Sequence, residues 1–521
     1  MIMKSPEKTK NLVIAVTMTA VLALSGCSSV RISVDGLKEN STDTVTKELN
    51  DVFPEDILTE EALEGLLSEE ELTVDFLTED EKKVDEYLKS LKEAADPLYP
   101  ENVPYGIIDW DEDTPVNEEL YEFCRILPKG GDLHVHDDME LPFDEYYELI
   151  TSYPGVSIEL EDKDKYGYLY LDDAPDTAVL LSDALDEGEL TEDELKSLLT
   201  LSDEDIPDGR WNTLNTLFRR KSGLTPDQDF MKKVYEKSFR NCCENNISLL
   251  ELRTGFRNDE KWNRKICDNI LKPYYKVKKD YPEFTVRLIA TAGKRYSYEK
   301  EDTIEILENA LKLSGEIKDE SDPEDPKDFI IGLDLVNEED DSRPLSEYAD
   351  FLGSDEVKES GLKLFLHSGE SLRMDNTSVP DALKLGSVRL GHGFNLYRYP
   401  DLMDECRDNS IAVEVCPISN YRLGYVSDLR LHPGFSYIKN DIPVVIASDD
   451  GLFMTKDPLV NDYYGAILAW DLDLLTIKKL CCNNYIYSGL SMDETIKLML
   501  DWNDGWAEFI ETMNEQIKDA E

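Results

Sequence analysis

Histidine is scarce in this chain, with five residues in 521. Positive charge is scarce too: 55 Lys and Arg stand against 112 Asp and Glu, a formal net charge of −57. A surface this acidic repels polyanions, which argues against nucleic acid as a partner and against multiply phosphorylated substrates. The 9 cysteines contain no Cys-x-x-Cys, so a structural zinc knuckle is not expected. The glycine-rich turn that cradles phosphate in doubly wound sheets is missing as well. No apolar run reaches the ~20 residues that a membrane-crossing helix needs. What remains is still globular in kind. Hydrophobic residues make up 41% of the chain, enough for a large core, and the length suits one catalytic domain with additions.

The N-terminus reads as a targeting segment. Lys4, Lys8 and Lys10 precede an apolar stretch from Leu12 to Leu24, and Leu24-Ser25-Gly26-Cys27 follows. A basic front, a short apolar core and small residues at the processing site describe an export signal. The last four residues resemble the bacterial lipoprotein box, which implies cleavage before Cys27, its lipidation, and a mature chain held on the outer face of the membrane. An ordinary cleaved signal with an incidental cysteine is the alternative. Residues 1–27 are thus set apart from the fold, and 28–114 read as an acidic tether and helical extension. Between Asp51 and Asp80 stand 12 acidic residues and no Lys or Arg, yet Leu63, Leu66, Leu67 and Leu72 recur at near-helical spacing. Amphipathic helices that dock on the main domain or on a second subunit fit this pattern, and a solvated acidic stalk is the bland alternative. The cysteines after Cys27 include two vicinal pairs and look like buried thiols of a large core.

From residue 115 to the end one pattern recurs: a short apolar run closes on polar, chemically capable residues, and a helical stretch follows. The runs are Asp132–His136, Ile247–Thr254, Phe284–Ala292, Phe329–Val336, Leu362–His367, Ser387–His392, Ile411–Cys416 and Pro443–Asp450. Near-continuous apolar strands alternating with helices are the mark of parallel sheet buried on both faces. Eight of them indicate an α/β fold, a (β/α)8 TIM barrel, whose reactive groups gather where strands end. About 110 residues separate the first run from the second. Residues 143–207 are read as an inserted subdomain, with Thr191 to Glu194 forming a capping box ahead of Leu195.

Four of the five histidines close such runs. His134 and His136 are two apart on one strand, so both imidazoles face the same side and can share a metal. His367 ends the fifth run, His392 the sixth, and Asp449 with Asp450 the eighth. Imidazole nitrogen and carboxylate oxygen together suit zinc, which supplies hydroxide from water at neutral pH. A nearby acid such as Glu370 and a further histidine would handle protons. The constellation points to metal-assisted hydrolysis. His432, in Leu-His-Pro, reads as helix-entry packing.

Several strings, in order, resemble the adenosine deaminases: Leu127 to His136, His367-Ser368-Gly369-Glu370, Arg389 to Gly393 and Ser448-Asp449-Asp450. Glu414 to Asn420, Ser427 to Arg430, the long insertion, and Arg210-Trp211 with Phe218 are similar to the secreted adenosine deaminase growth factor branch. The resemblance implies a metal-dependent hydrolase barrel with one zinc per chain, bound by His134, His136, His367 and Asp449. It makes Glu370 the proton donor to purine N1, and His392 the residue that orients and deprotonates water. Asp450 would meet N7, Asp137 the ribose, and Trp211 to Phe218 would lie over the nucleoside. Asn337 stands where the family has the glycine whose N–H meets N3. Ser368 and Gly451 also depart from the pattern, replacing alanine and proline. The expected activity is hydrolytic deamination of adenosine, and of 2′-deoxyadenosine, outside the cytoplasm, with a purine nucleoside and the lipid anchor as its contacts and a homodimer compatible. The alternatives are a deaminase of a modified adenine nucleoside, or a non-catalytic surface protein that binds nucleoside or a partner.

Overall fold

A computed structural model of the chain describes residues 77–95, 117–201 and 210–520. The leader with Cys27, most of the acidic helical extension, and residues 202–209 of the insertion lie outside the described residues. Among those described, no helix is long and apolar enough to cross a membrane.

The eight expected runs all form strands: β1 (Gly130–His136), β2 (Ile247–Gly255), β3 (Thr285–Gly293), β4 (Ile330–Val336), β5 in two pieces (Lys363–Leu364 and His367–Ser368), β6 (Arg389–His392), β7 (Ala412–Val415) and β8 (Val444–Ile446). Every neighbouring pair from β1 to β8 is parallel, in sequence order. A single parallel bridge, Val135 to Asp449, brings the chain after β8 back to β1. This is a TIM-barrel-like α/β fold, with strands buried along almost their whole length.

Two glycines let β5 change partners halfway. Its first piece pairs with β4 through Lys363 and Gly332, its second with β6 through His367 and Gly391. A Cβ on Gly332 would lie 2.4 Å from the buried Phe365 ring, and one on Gly391 would lie 2.9 Å from the Cα of His367. The bare backbone at both places is what allows the close approach. In β1 the register to β2 slips between Asp132 and Val135, a bulge that re-aims the two histidines.

The long β1–β2 connection carries its own small antiparallel sheet, with Ser157–Glu159 between Leu169–Tyr170 and Ala178–Leu180. The expected capping box is present: the Thr191 side chain accepts from Glu194 N, and Glu194 accepts from Thr191 N at 2.8 Å. Helices Arg210–Lys221 and Gln228–Glu244 then lead into β2.

The described residues divide into two compact units, one within Leu91–Leu472 and the other joining residues 77–90 with those from Asp473 on. In the second unit buried Glu81 accepts from Lys478 Nζ at 2.8 Å and from Trp506 Nε1 at 2.7 Å, while Asp85 caps the helix that starts at Leu474.

Gly332→Ala should lower unfolding free energy by about 1–3 kcal/mol, because neither the Phe365 ring nor the Lys363 carbonyl 2.8 Å away can yield easily. Urea unfolding checks this; an unchanged midpoint would mean that β5 has room to shift.

Candidate active site

The sequence ends its strands in histidines and carboxylates, and the fold brings those ends together. His134 and His136 come from β1, His367 from β5, and Asp449 from just beyond β8. One ligand atom from each lies within 4.8 Å of all the others. His134 Nε2 is 3.2 Å from His367 Nε2, and His136 Nε2 is 3.3 Å from Asp449 Oδ1. Burial, with Arg253 and the neighbouring imidazoles, pushes His134 well below the usual histidine range; His136 is lowered by burial, His367 and Arg253. Neutral imidazoles are the form that binds metal.

In His134 and His367 the other ring nitrogen is already taken. His134 Nδ1 donates to Glu414 Oε2 at 2.7 Å, and His367 Nδ1 donates to Asp334 Oδ2 at 2.6 Å. A metal-binding histidine typically donates its far N–H to a carboxylate in this way, which fixes the tautomer with Nε2 free for the ion. The donor set therefore fits a divalent metal on geometry and on tautomer.

Both carboxylates hang from arginines inside the barrel. Arg253 donates to Asp334 at 2.9 Å, to Glu414 at 2.5 Å and to the Leu133 carbonyl at 2.7 Å. Arg389 donates to Glu414 and to Glu251, each at 2.6 Å. All five charged side chains are buried. Burial raises the Asp334 carboxyl, but His367 and Arg253 more than offset this and hold it well below the carboxylate range. Sequence reasoning missed this network. Its signal was present: five charged residues inside four otherwise apolar strand runs.

Around these four side chains stand the other expected residues. His392 Nε2 lies 3.6 Å from Glu370 Oε2 and 4.0 Å from Asp449 Oδ2. Burial, then Asp449, Glu339 and Asp450, push the Glu370 carboxyl well above its usual range. Burial and Asp449 do the same to Asp450. One oxygen of each, Glu370 Oε1 and Asp450 Oδ1, is buried without a hydrogen-bond partner. The site thus offers two neutral carboxylic acids, able to donate protons to ring nitrogens. His392 is lowered well below its usual range by burial and by His367, so it is neutral too.

Three non-glycine residues here hold left-handed backbone: Asn337 (φ 100°), His392 (φ 61°) and Asp449 (φ 61°). Such strain persists only where the surroundings over-determine it, and it clusters at working sites. Asn337 Oδ1 is buried and unpartnered, lying 2.7 Å from where a Cβ on Gly293 would be. The Asn337 side chain is thus folded against the bare end of β3.

Asp137 accepts from Tyr235 OH at 2.6 Å, and burial and Asp138 raise its carboxyl to about 6. Trp211 Nε1 donates to Tyr425 OH at 3.0 Å, and Phe218 packs edge-on to Phe453 with ring centroids 5.1 Å apart. Tyr425 and Lys294 escaped sequence reasoning: each exerts a charge effect with Glu370, and neither stands in a distinctive motif. His432 caps the helix Pro433–Lys439, as helix-entry packing requires.

The adenosine deaminase family model matches residues 283–501. The chain is 27% identical over 439 residues to adenosine deaminase 2 of Dictyostelium discoideum, covering 79% of this chain and 78% of that protein. It is 29% identical over 473 residues to an adenosine deaminase of Lutzomyia longipalpis, covering 84% and 89%. Solved structures of similar fold include adenine deaminase from Arthrobacter aurescens (TM-score 0.53, 16% identity, 73% of this chain and 99% of that one). Another is the Arabidopsis N6-mAMP deaminase (TM-score 0.51, 18% identity, 74% and 99%). A zinc-bound amidohydrolase from Burkholderia ambifaria gives a TM-score of 0.53 at 13% identity, covering 75% and 94%.

Asp334→Asn should weaken metal affinity by ~10–100-fold, since the amide no longer matches both His367 Nδ1 and Arg253. Competition with a chelator measures it, and unaltered affinity would show that the carboxylate does not support its histidine.

Proposed function

We propose that this chain, a hydrolytic deaminase of the adenosine deaminase family, converts adenosine and 2′-deoxyadenosine to the corresponding inosines with release of ammonia. The observation that carries the reading is the convergence of four metal-competent ligands with a protonated Glu370 and a neutral His392 at one mouth. In this reading His134, His136, His367 and Asp449 hold one zinc. When bound, zinc lowers the pKa of water from about 15.7 to about 7 and supplies the nucleophile at neutral pH.

The chain's own residues do the rest. Glu370, kept neutral by burial and by its acidic neighbours, gives its proton to purine N1 as C6 is attacked. His392 orients the attacking water. Asp450, also neutral, donates to N7, which only accepts. Asp137 faces the ribose, and Trp211 with Phe218 covers the nucleoside. The backbone N–H of Asn337 serves N3. A modified adenine nucleoside is a second reading, favoured by the unpartnered Asn337 amide oxygen at that edge.

Residues 1–27 are assigned to export and lipid attachment through Cys27, with the enzyme on the outer face of the membrane. A single acyl chain binds membranes only marginally, so firm attachment requires the several chains of a lipoprotein cysteine. Cell fractionation of Cys27→Ala tests this: release from the membrane is expected, and retention would contradict the anchor.

Absorbance-monitored turnover on adenosine, 2′-deoxyadenosine, N6-methyladenosine and adenosine monophosphate, with and without a chelator, tests the activity. Adenosine should be strongly preferred over its monophosphate, because a phosphate entering a chain of net charge −57 is repelled over the ~8–10 Å that salt leaves unscreened. Equal turnover of the monophosphate would overturn the substrate assignment. Glu370→Gln keeps size and metal but removes the titratable proton, and kcat should fall ~10²–10⁴-fold. A near-normal kcat would place the proton donor elsewhere.

A further inference from the structure

His392 does not stand alone behind the site. Asn420, on the short helix Pro417–Arg422 that follows β7, places its amide 3.3 Å from His392 Nδ1. The other end of the same amide, Oδ1, lies 3.0 Å from His432 Nε2. His432 Nδ1 in turn accepts from the backbone N–H of Gly434 at 3.0 Å. All three side chains are buried, so no water competes for these bonds.

The direction of this chain is forced from its far end. A backbone N–H can only donate, so His432 Nδ1 must be an acceptor, and the ring's proton must sit on Nε2. Burial pushes His432 down to about 3, which keeps it from acquiring a second proton. Its Nε2–H then requires an acceptor, which is Asn420 Oδ1. That fixes the amide the other way round: the NH2 end faces His392 and donates to Nδ1. With Nδ1 accepting, a neutral His392 carries its proton on Nε2, the nitrogen that faces Glu370 and Asp449.

We infer that Asn420 and His432 are positioning residues that lock His392 in the tautomer with hydrogen on Nε2. His392 then holds an N–H donor toward the reacting oxygen, in place of a lone pair that could deprotonate it. It orients the attacking water and leaves proton removal to another group. Nothing in the chain of bonds can reverse without stranding the Gly434 N–H or the His432 N–H in a buried position. The left-handed backbone of His392, with Gly393 beside it, presents Nδ1 to Asn420 and Nε2 to the site at once.

The inference rests on the deaminase reading only in its kinetic arm. Because the chain has five histidines, the nitrogen spectrum of histidine-labelled protein is simple enough to assign. Two-bond proton–nitrogen correlations should show both His392 and His432 protonated on Nε2, before and after treatment with a chelator. A proton on His392 Nδ1, alone or together with Nε2, overturns the inference. Asn420→Asp preserves size but cannot donate, so His392 should turn to the Nδ1–H form. The kcat for adenosine should then fall at least ~10-fold with KM within ~2-fold and metal content unchanged, as expected for a misassigned tautomer. An Asn420→Asp enzyme with the proton moved to Nδ1 and kcat retained overturns the orienting role. If the unaltered protein deaminates no nucleoside, the activity assignment fails, and the resonance of His392 still decides the tautomer.

Discussion

The site depends on a set of charges buried where a barrel would ordinarily be packed with hydrocarbon. Arg253 and Arg389 stand among Glu251, Asp334 and Glu414, and none of them reaches water. Stripping charges of water is costly, and a partner removed from such a set leaves an uncompensated charge inside. Each carboxylate meets a guanidinium, and Asp334 and Glu414 also accept histidine N–H groups. Its product is orientation. Glu414 holds His134 and Asp334 holds His367, so the two imidazoles present Nε2 upward before any ion arrives.

Above that layer the same low-dielectric surroundings set the protonation states. Glu370 and Asp450 are driven to the neutral form by burial and then by the neighbouring Asp449 carboxylate. Asp334, held by His367 and Arg253 against the cost of burial, stays ionised. His134, His136 and His392 stay neutral, first because they are buried and then because a further positive charge would sit beside Arg253 and the other imidazoles. Local strain accompanies this arrangement, with left-handed backbone at Asn337, His392 and Asp449 where strands end.

Much of this was legible in the sequence. Eight apolar runs with chemical endings mark the barrel strands, and each observed strand overlaps its expected run. The ligand histidines stood out because histidine is otherwise almost absent. The capping box at Thr191 and the packing role of His432 were local patterns, readable from a few neighbours. What escaped reading requires the barrel to be assembled first. Arg253 and Glu414 are 161 residues apart, and only the ring of parallel strands makes them partners. The split of β5 follows from two glycines on different strands, so no single window reveals it. The Asn337 amide lies against Gly293, a neighbour from another strand that local sequence does not advertise. The relay through Asn420 joins residues of three separate elements, and its direction is set by a backbone N–H that carries no sequence signature.

The central claim is that the four strand-end residues form one metal centre on which the chemistry is built. Elemental analysis of the mature protein, combined with anomalous diffraction at the zinc edge, tests it most directly. The account predicts about one zinc per chain, lying among His134, His136 and His367 Nε2 and the Asp449 carboxylate. A fully active chain with no metal between these four residues would contradict it.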